Sequence, residues 1–263
     1  MVSYQNKEHF VRLRRALSLI LKSGKKLKKA YYRDSIAQFT KSAGEPCTEY
    51  DLAIDRHLRE KLLGKFPQDS WLSEESVPQT GTSLFQWVLD PIDGTSNFAN
   101  HIPFFCISLC LMEGSEAVAG IIHDPVQKQT YIAFEGKSYH LSKKNRWLPV
   151  QIPEKKIAQG ILSMSNHCSA HPQKESLYSA WLSLENKAQS SRRLGCTALE
   201  IVFVGLGKLS LFLVLGYRIW DIAAAFLFAK NAGALFFHDE THRHLVIYNP
   251  ALKKEVQAVV AEI

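Results

Sequence analysis

Apolar residues recur along this chain in two rhythms, one of helical period and one of strand period. The helical stripes predict a first amphipathic helix over 10–32 and a second one that Thr48 caps and Gly64 ends. Continuous or alternating apolar runs predict buried strands between these helices and residue 150. The predicted strands are 71–73, 84–89, 104–112, 117–123 and 130–134, followed by a hairpin over 137–150.

Beyond residue 152 the pattern changes to strands and helices in alternation. The predicted strands are 160–164, 190–194, 209–215, 234–237 and 256–261, and the predicted helices are 172–186, 197–204 and 221–232. Alternation of this kind predicts helices packed on a largely buried mixed sheet, an α/β (α+β) fold class. The change of pattern predicts an N-terminal α+β subdomain over 1–152 and a C-terminal α/β subdomain over 153–263.

Composition excludes several classes of protein. With 263 residues, 46% hydrophobic and 22% charged, the chain is an ordinary globular protein and neither disordered nor fibrous. The first eight residues lack the apolar core of a signal peptide, and no apolar run is long enough to cross a bilayer. The five cysteines lack paired zinc spacing, which indicates buried reduced thiols. We therefore predict a cytoplasmic protein with no membrane contact.

The positive charge is concentrated at one end of the chain. Residues 1–34 carry ten Lys or Arg against two acids, so this segment accounts for the net charge of +7. A basic helix can contact nucleic acid or an anionic membrane. No nucleic-acid motif or aromatic interleaving accompanies this one, which favours a solvated helix face. The alternative is a non-catalytic or moonlighting protein that contacts RNA or transcription antitermination factors through this helix.

Candidate chemistry begins where the predicted strand 84–89 stops at Asp90. Pro91 has no N–H with which to continue a central strand, and Gly94 can adopt the positive φ of a sharp turn. The turn would bring Asp90, Asp93 and Thr95 together, and paired carboxylates on a rigid turn are suitable ligands for Mg²⁺. Asp-Pro and Asp-Gly pairs are also ordinary turn formers, so these residues alone leave a purely structural explanation open.

Other segments carry the same two explanations. Asp51, three residues after Thr48, could return a capping hydrogen bond or act in catalysis. Asp221 begins an apolar helix, where it could complement the helix dipole or ligate a metal. The segment from Gly195 to Ala198 joins a strand to a helix, so its free N–H groups could hold an oxyanion.

Taken together, these segments resemble the inositol monophosphatase family of metal-dependent phosphomonoesterases. The specific motifs are Glu74-Glu75-Ser76, Asp90-Pro-Ile-Asp-Gly-Thr-Ser-Asn-Phe98 and Trp220-Asp221-Ile-Ala-Ala. Lesser matches at Ser23-Gly24, Thr48-Glu49-Tyr50-Asp51, Asp124-Pro125 and Arg193-Leu-Gly-Cys-Thr-Ala198 extend the resemblance over nearly the whole chain. Independent turns and caps would not fall into one family's order by accident, so the purely structural explanations weaken.

The resemblance implies a layered αβαβα sandwich of the sugar-phosphatase type, a homodimer, and two or three Mg²⁺ ions per active site. Glu74, Asp90 and the carbonyl of Ile92 would ligate the first ion. Asp90, Asp93 and Asp221 would ligate the second, and Glu74 would hold a weaker third ion through water. A carboxylate-rich pocket repels a phosphate dianion unless metal ions reverse its charge.

The resemblance also implies catalytic and substrate contacts. Thr95, Asp51 and Glu74 would form the catalytic set, in which the Thr95 hydroxyl and Asp51 orient and deprotonate the attacking water. The N–H groups of Gly94 and Thr95 would hold the phosphate. The substrate-binding residues it implies are Asp93, Gly94, Thr95, Gly195, Cys196, Thr197 and Asp221. The activity would be hydrolysis of a small phosphomonoester such as an inositol, sugar, polyol or amino-alcohol phosphate.

Two positions depart from the family pattern. Val214 stands seven residues before Asp221, where the inositol phosphatases usually carry a glutamate that hydrogen-bonds the inositol ring. Cys196 stands where serine is common. Loss of a polar partner for a substrate hydroxyl can cost orders of magnitude in discrimination. We therefore expect phosphatase chemistry without strict inositol specificity. Inhibition by lithium is common in the family that this chain resembles.

Overall fold

Two β-sheets alternate with layers of helices in the computed structural model, which describes residues 7–33, 35–40, 46–167 and 171–260. The α-helices are α1 (Lys7–Tyr31), α2 (Glu49–Leu63), α3 (Thr95–Ala99), α4 (Lys174–Glu185), α5 (Thr197–Gly205), α6 (Ile219–Asn231) and α7 (Lys253–Val260). The first strands are β1 (Gln38–Thr40), β2 (Pro46–Thr48), β3 (Ser70–Ser73), β4 (Phe85–Asp93), β5 (Cys106–Glu113), β6 (Glu116–Asp124) and β7 (Gln129–Phe134). The others are β8 (Lys137–Leu141), β9 (Trp147–Val150), β10 (Ile161–Asn166), β11 (Ser190–Arg192), β12 (Leu211–Leu215), β13 (Leu235–Asp239) and β14 (His244–Tyr248).

The larger sheet has seven strands in the order β3-β4-β5-β6-β7-β8-β9. All its neighbouring strands are antiparallel except β3 and β4, which are parallel. The second sheet has five strands in the order β11-β10-β12-β14-β13 and is mixed, because β10 is parallel to β11 and β12 whereas β14 is antiparallel to β12 and β13. A mixed C-terminal sheet is what the alternating pattern predicts.

The helices divide the core into three apolar clusters. One cluster joins α1 and α2 to the outer face of the seven-stranded sheet, and a second joins α5 and α6 to the facing sides of both sheets. The third joins α4 and α7 to the far side of the five-stranded sheet. Side chains alternate between clusters along each strand, so Trp87 and Leu89 enter the first cluster while Val88 enters the second. The layers therefore run α, β, α, β, α.

Two predicted elements differ from the structure. The strand predicted to stop at Asp90 continues to Asp93, because a local register shift against β5 accommodates the residues after Asp90, including Pro91. The predicted strand at 256–261 is wrong. The described part of this segment is helix α7, whose Val256 and Val259, three residues apart, pack into the third cluster, and Ala261 lies outside the described residues. Strand β14 was not predicted.

A glycine of α1, Gly24, and a buried histidine of β6, His123, lie where these two elements cross. A Cβ atom on Gly24 would lie 2.2 Å from Nε2 of His123, so only glycine allows this approach. Burial lowers the pKa of His123 to about 4. Cys47, Cys106, Cys110 and Cys196 are buried, and Cys168 lies outside the described residues. None of the helices described is long and apolar enough to span a membrane.

Candidate active site

The end of β4 contributes to a cavity of about 400 Å³ between the two sheets. Asp90 pairs with Ser108 and Asp93 pairs with Cys106, so the strand has one more residue than its partner between these points. Gly94 follows with φ 87° and begins α3. A Cβ atom on Gly94 would lie 3.1 Å from the carbonyl oxygens of Phe104 and Gly195, so both the backbone conformation and the space favour glycine there.

Carboxylates from three separate elements line this cavity. Asp90 and Asp93 come from β4, Glu74 from the segment after β3, and Asp221 from the first turn of α6. Burial, and then the charges of Glu74, Asp93 and Asp221, hold the pKa of Asp90 well above its usual range. The structure therefore brings together the four acids that the sequence places far apart.

Asp90 is the member of this set that shows what the cavity is suited to bind. Its side chain is buried, and its Oδ1 atom has no hydrogen-bond partner among the described residues. Burying a carboxylate oxygen without a hydrogen-bond partner costs free energy unless a cation interacts with it. Mg²⁺ prefers oxygen ligands such as carboxylates and carbonyls. Ile92, two residues after Asp90, also lines the cavity and could offer its carbonyl oxygen. The residues present therefore fit a hard divalent cation.

Asp93 is fixed by the N-terminus of α5. The N–H of Ala198 donates to Oδ2 at 2.5 Å, and the N–H of Thr197 donates to Oδ1 at 3.2 Å. The Cys196 thiol also donates to Oδ2, with 3.2 Å between Sγ and Oδ2. Burial nevertheless raises the pKa of Asp93 to about 6. We predicted that the N–H groups at the start of α5 could hold an oxyanion. In the structure, they hold the carboxylate of Asp93.

This arrangement changes where the predicted substrate contacts lie. Gly195 is exposed and lines the cavity, whereas Cys196 and Thr197 are buried behind Asp93. Gly195 can therefore contact a molecule bound in the cavity, whereas Cys196 and Thr197 are placed to act through Asp93. Glu200, one turn further along α5, accepts from the N–H groups of Leu194 and Cys196, and burial raises its pKa to about 7.

Asp51 joins the cavity through Thr95. Its Oδ2 accepts from the N–H of Thr48 at 2.7 Å and from the Thr48 hydroxyl at 2.5 Å, so it closes the capping box of α2. Its Oδ1 lies 3.2 Å from the Thr95 hydroxyl, which is also 2.8 Å from the carbonyl oxygen of Ile92. Burial raises the pKa of Asp51 to about 6. The capping and catalytic explanations of Asp51 are therefore compatible, because each uses a different oxygen.

Sequence reasoning missed a basic wall of the same cavity. Arg218, Arg243 and His167 line it together with Trp220, and all three basic residues are exposed. Arg218 could have been noticed from its place three residues before Asp221. Arg243 gave no local signal, because the pairing of β13 with β14 brings it to the cavity and its carbonyl accepts from Gly216 at 2.8 Å.

Val214 lies in the fully buried part of β12 and is absent from the cavity wall. It packs in the apolar cluster between the two sheets. The position where inositol phosphatases usually carry a substrate-binding glutamate is therefore apolar and closed.

Comparisons with known proteins identify a family and a fold. The sequence profile of the inositol monophosphatase family matches residues 11–259. The chain is 26% identical to the Nus factor SuhB of Pasteurella multocida, with 92% of each chain covered. It is 28% identical to inositol monophosphatase 1 of Solanum lycopersicum, with 79% of each covered. The crystal structure of extragenic suppressor protein suhB from Bartonella henselae superposes with a TM-score of 0.85 at 21% identity, covering 95% of this chain and 99% of that one. The predicted layered sandwich is confirmed.

Proposed function

The chain belongs to the inositol monophosphatase family, and on this premise we propose that it is a Mg²⁺-dependent phosphatase of small phosphomonoesters that uses a metal-activated water. The observation that carries the proposal is the buried Asp90, whose Oδ1 has no partner among the described residues and whose neighbours in the cavity are three further carboxylates. Four acids converging on one cavity would repel a phosphate group without a bound cation.

The residues that would hold the ions are those that line the cavity. Glu74, Asp90 and the Ile92 carbonyl would hold one Mg²⁺, and Asp90, Asp93 and Asp221 a second, with a third ion through Glu74 as the upper limit. When bound, such ions neutralise the phosphate and lower the pKa of a coordinated water. The contacts from Thr197 and Ala198 fix Asp93, so its oxygens are positioned before any ion arrives.

Thr95 and Asp51 are positioned to manage the proton of the attacking water. The Thr95 hydroxyl would orient that water, and the neighbouring Asp51 oxygen would accept a proton through it. Because burial raises the pKa of Asp51 to about 6, this carboxylate is a stronger base than an exposed one and is mostly ionised at neutral pH. The N–H groups of Gly94 and Thr95, where the chain turns into α3, would hold the phosphate.

The basic wall narrows the class of substrate. Arg218, Arg243 and His167 favour a phosphomonoester that carries a second acidic group over one whose remainder is a neutral ring. The buried Val214 supports the same choice, since it offers no hydrogen bond to a ring hydroxyl. Inositol monophosphate is therefore one candidate among several, and a sugar or polyol phosphate with a further acidic group fits this wall better than an amino-alcohol phosphate, whose ammonium group the two arginines would repel. We also propose a homodimer in the cytoplasm.

A second candidate function is interaction with RNA or transcription factors. A relative at 26% identity is named a Nus factor, and α1 exposes Lys22, Lys25, Lys26 and Lys29. Lys28 differs from these, because its Nζ donates to the carbonyl of Val126 at 2.6 Å and so fixes α1 to the loop after β6. This candidate predicts RNA binding that weakens with salt and is lost when Lys25, Lys26 and Lys29 are changed to Gln. Binding that survives those changes would exclude this surface.

The decisive experiment for the phosphatase is release of phosphate from a panel of small phosphomonoesters with and without Mg²⁺. We expect activity that requires Mg²⁺ and that the Asp93→Asn change reduces at least 100-fold, on the order of the loss of a preorganised charge. Glu116→Gln, an exposed acid on β6 away from the cavity, is the matched control and should leave activity unchanged. Metal-independent activity, or an active Asp93→Asn variant, would overturn the proposal.

A further inference from the structure

A compact set of ligand atoms lies directly behind the cavity. Asp93, Cys106 and Cys196 each contribute one atom, and these three atoms lie within 4.8 Å of one another. All three side chains are buried. Within the described residues, the four carboxylates of the cavity do not form a set this tight. The set is therefore preorganised by the fold, although two of its members are cysteines from different elements.

The separations match those of a tetrahedral thiophilic metal site. The sulfurs of Cys106 and Cys196 are 3.7 Å apart, and Sγ of Cys196 is 3.2 Å from Oδ2 of Asp93. With zinc–sulfur bonds of about 2.3 Å, two sulfurs on one tetrahedral ion stand about 3.8 Å apart. Two cysteine sulfurs and a carboxylate oxygen are ligands that Zn²⁺ and Cd²⁺ accept readily, whereas Mg²⁺ selects oxygen.

Backbone contacts hold the set in place from both sides. Cys106 begins β5 opposite Asp93, so strand pairing fixes one sulfur against the carboxylate. Cys196 is the N-cap residue of α5, and the next N–H groups of that helix hold Asp93. The surroundings are apolar, with Val88 and Ile122 in the same cluster. Asp93 also lines the cavity, so one carboxylate belongs both to the cavity wall and to this set of ligand atoms.

We propose that Asp93, Cys106 and Cys196 form a binding site for a thiophilic divalent cation of the Zn²⁺ class, distinct from the Mg²⁺ centre but sharing Asp93 with it. Binding replaces two S–H bonds by two metal–sulfur bonds, and the two protons leave to solvent. No oxidant or reductant takes part. The inhibitory consequence rests on the proposed function: an ion held here withdraws Asp93 from Mg²⁺, so Zn²⁺ inhibits Mg²⁺-supported hydrolysis.

Binding is tested with Cd²⁺ alone, because cadmium–thiolate bonds give a charge-transfer band in the ultraviolet. The reduced protein, kept with a phosphine reductant and checked for its five thiols, should show the band at one equivalent of Cd²⁺. Cys196→Ser keeps a hydroxyl donor for Asp93 but removes the soft ligand, and Cys106→Ser removes the other sulfur. Each change should weaken Cd²⁺ binding at least about 100-fold. Cys110→Ala, a buried cysteine further along β5, is the matched control and should keep the band.

The outcomes separate this site from the hydrolase. Absence of the band in the wild-type protein, or equal bands in the wild-type and Cys196→Ser proteins, would overturn the site whether or not the protein hydrolyses a phosphomonoester. For the consequence, low Zn²⁺ should inhibit the wild-type and Cys110→Ala proteins in the presence of excess Mg²⁺ and should inhibit Cys196→Ser at least tenfold less, about 1.4 kcal/mol in binding. Equal inhibition of Cys196→Ser would overturn the coupling to Asp93.

Discussion

Helices α2 and α6 begin with the same local motif, yet their acids lie in different surroundings. In both, an aspartate at the third helical position accepts from the N–H of the capping residue, at 2.7 Å for Asp51 and Thr48 and at 2.6 Å for Asp221 and Arg218. Asp51 is buried behind Thr95, whereas Asp221 is partly exposed and lines the cavity. A capping motif therefore fixes where a carboxylate sits, and tertiary packing decides what its remaining oxygen meets.

The difference between the two acids shows in their electrostatics. Burial raises the pKa of Asp51 to about 6, whereas the charge of Asp221 is one of the influences that raise the pKa of Asp90. Asp51 thus gains basicity from its surroundings, and Asp221 adds negative potential to the cavity that it shares with Asp90. We therefore expect substitution of Asp51 to reduce proton transfer and substitution of Asp221 to reduce metal affinity.

The largest effect is expected for Asp221→Asn. The asparagine oxygen can still accept from Arg218, so unfolding free energy without Mg²⁺ should change by less than about 1 kcal/mol. Loss of the charge should lower kcat/KM on the order of 10³-fold and reduce the rise in Tm that Mg²⁺ gives the wild-type protein. Activity and Tm with and without Mg²⁺ measure this. A variant with full Mg²⁺ stabilisation would show that Asp221 is only a cap.

Asp51→Asn should have the second largest effect and a different signature. Asparagine can keep the cap with its oxygen but presents N–H₂ to Thr95, so it cannot accept a proton there. We expect kcat to fall about 10²-fold, within the range for a lost general base, while the rise in Tm with Mg²⁺ is kept. Titration with Mg²⁺ followed by Tm is the control. If both variants lost the rise in Tm with Mg²⁺ equally, the separate roles proposed for Asp51 and Asp221 would be wrong.

The residue that caps α6 offers a smaller test. Arg218 contributes its N–H to Asp221 and its side chain to the basic wall, so Arg218→Gln leaves the cap and removes the charge. We expect kcat/KM to fall about 10-fold for a phosphomonoester with a second acidic group and to change less than twofold for a neutral one. Equal losses on both substrates would mean that Arg218 neutralises the scissile phosphate instead.

Helix α5 offers the test with the smallest expected effect on activity, because Glu200 is expected to change stability alone. Burial raises the pKa of Glu200 from 4.5 to about 7, so between these pH values the folded protein binds the proton that the unfolded chain releases. This contribution is complete below pH 4.5 and is lost as pH rises through about 7, with a slope of at most about 1.4 kcal/mol per pH unit. Urea unfolding of metal-free Glu200→Gln should lack this part of the slope. A slope identical to that of the wild-type protein would contradict the raised pKa.

Sequence patterns were sufficient for the elements whose signal is local. The period of α1 and the turn that Gly94 allows before α3 are visible in single stretches, although the strand before that turn ends at Asp93 and not at Asp90, and the order of motifs indicated the family. The basic wall was not predictable, because Arg243 reaches the cavity only through the pairing of β13 with β14. The short α7 was wrongly predicted as a strand, since the segment 256–261 is a short run rich in apolar residues, and such runs do not distinguish a strand from a helix.

The places of Cys196 and Thr197 could not be derived from sequence either. Both lie at the start of a helix, where backbone N–H groups lack partners within the helix. From the sequence alone, these groups could bind an anion from solution as well as a carboxylate of the protein. Only the meeting of α5 with the end of β4 shows that Asp93 occupies those groups.

The extra residue in β4 determines the direction in which its two acids point. Along a regular strand, side chains three positions apart emerge on opposite sides, so Asp90 and Asp93 would be separated by the sheet. One unmatched residue restores an even count, and both carboxylates emerge into the same cavity. The number of backbone residues between the two acids therefore decides whether they share one cavity. Removing a single residue from 91–92 would send one acid into the apolar interior while leaving every side chain of the set intact.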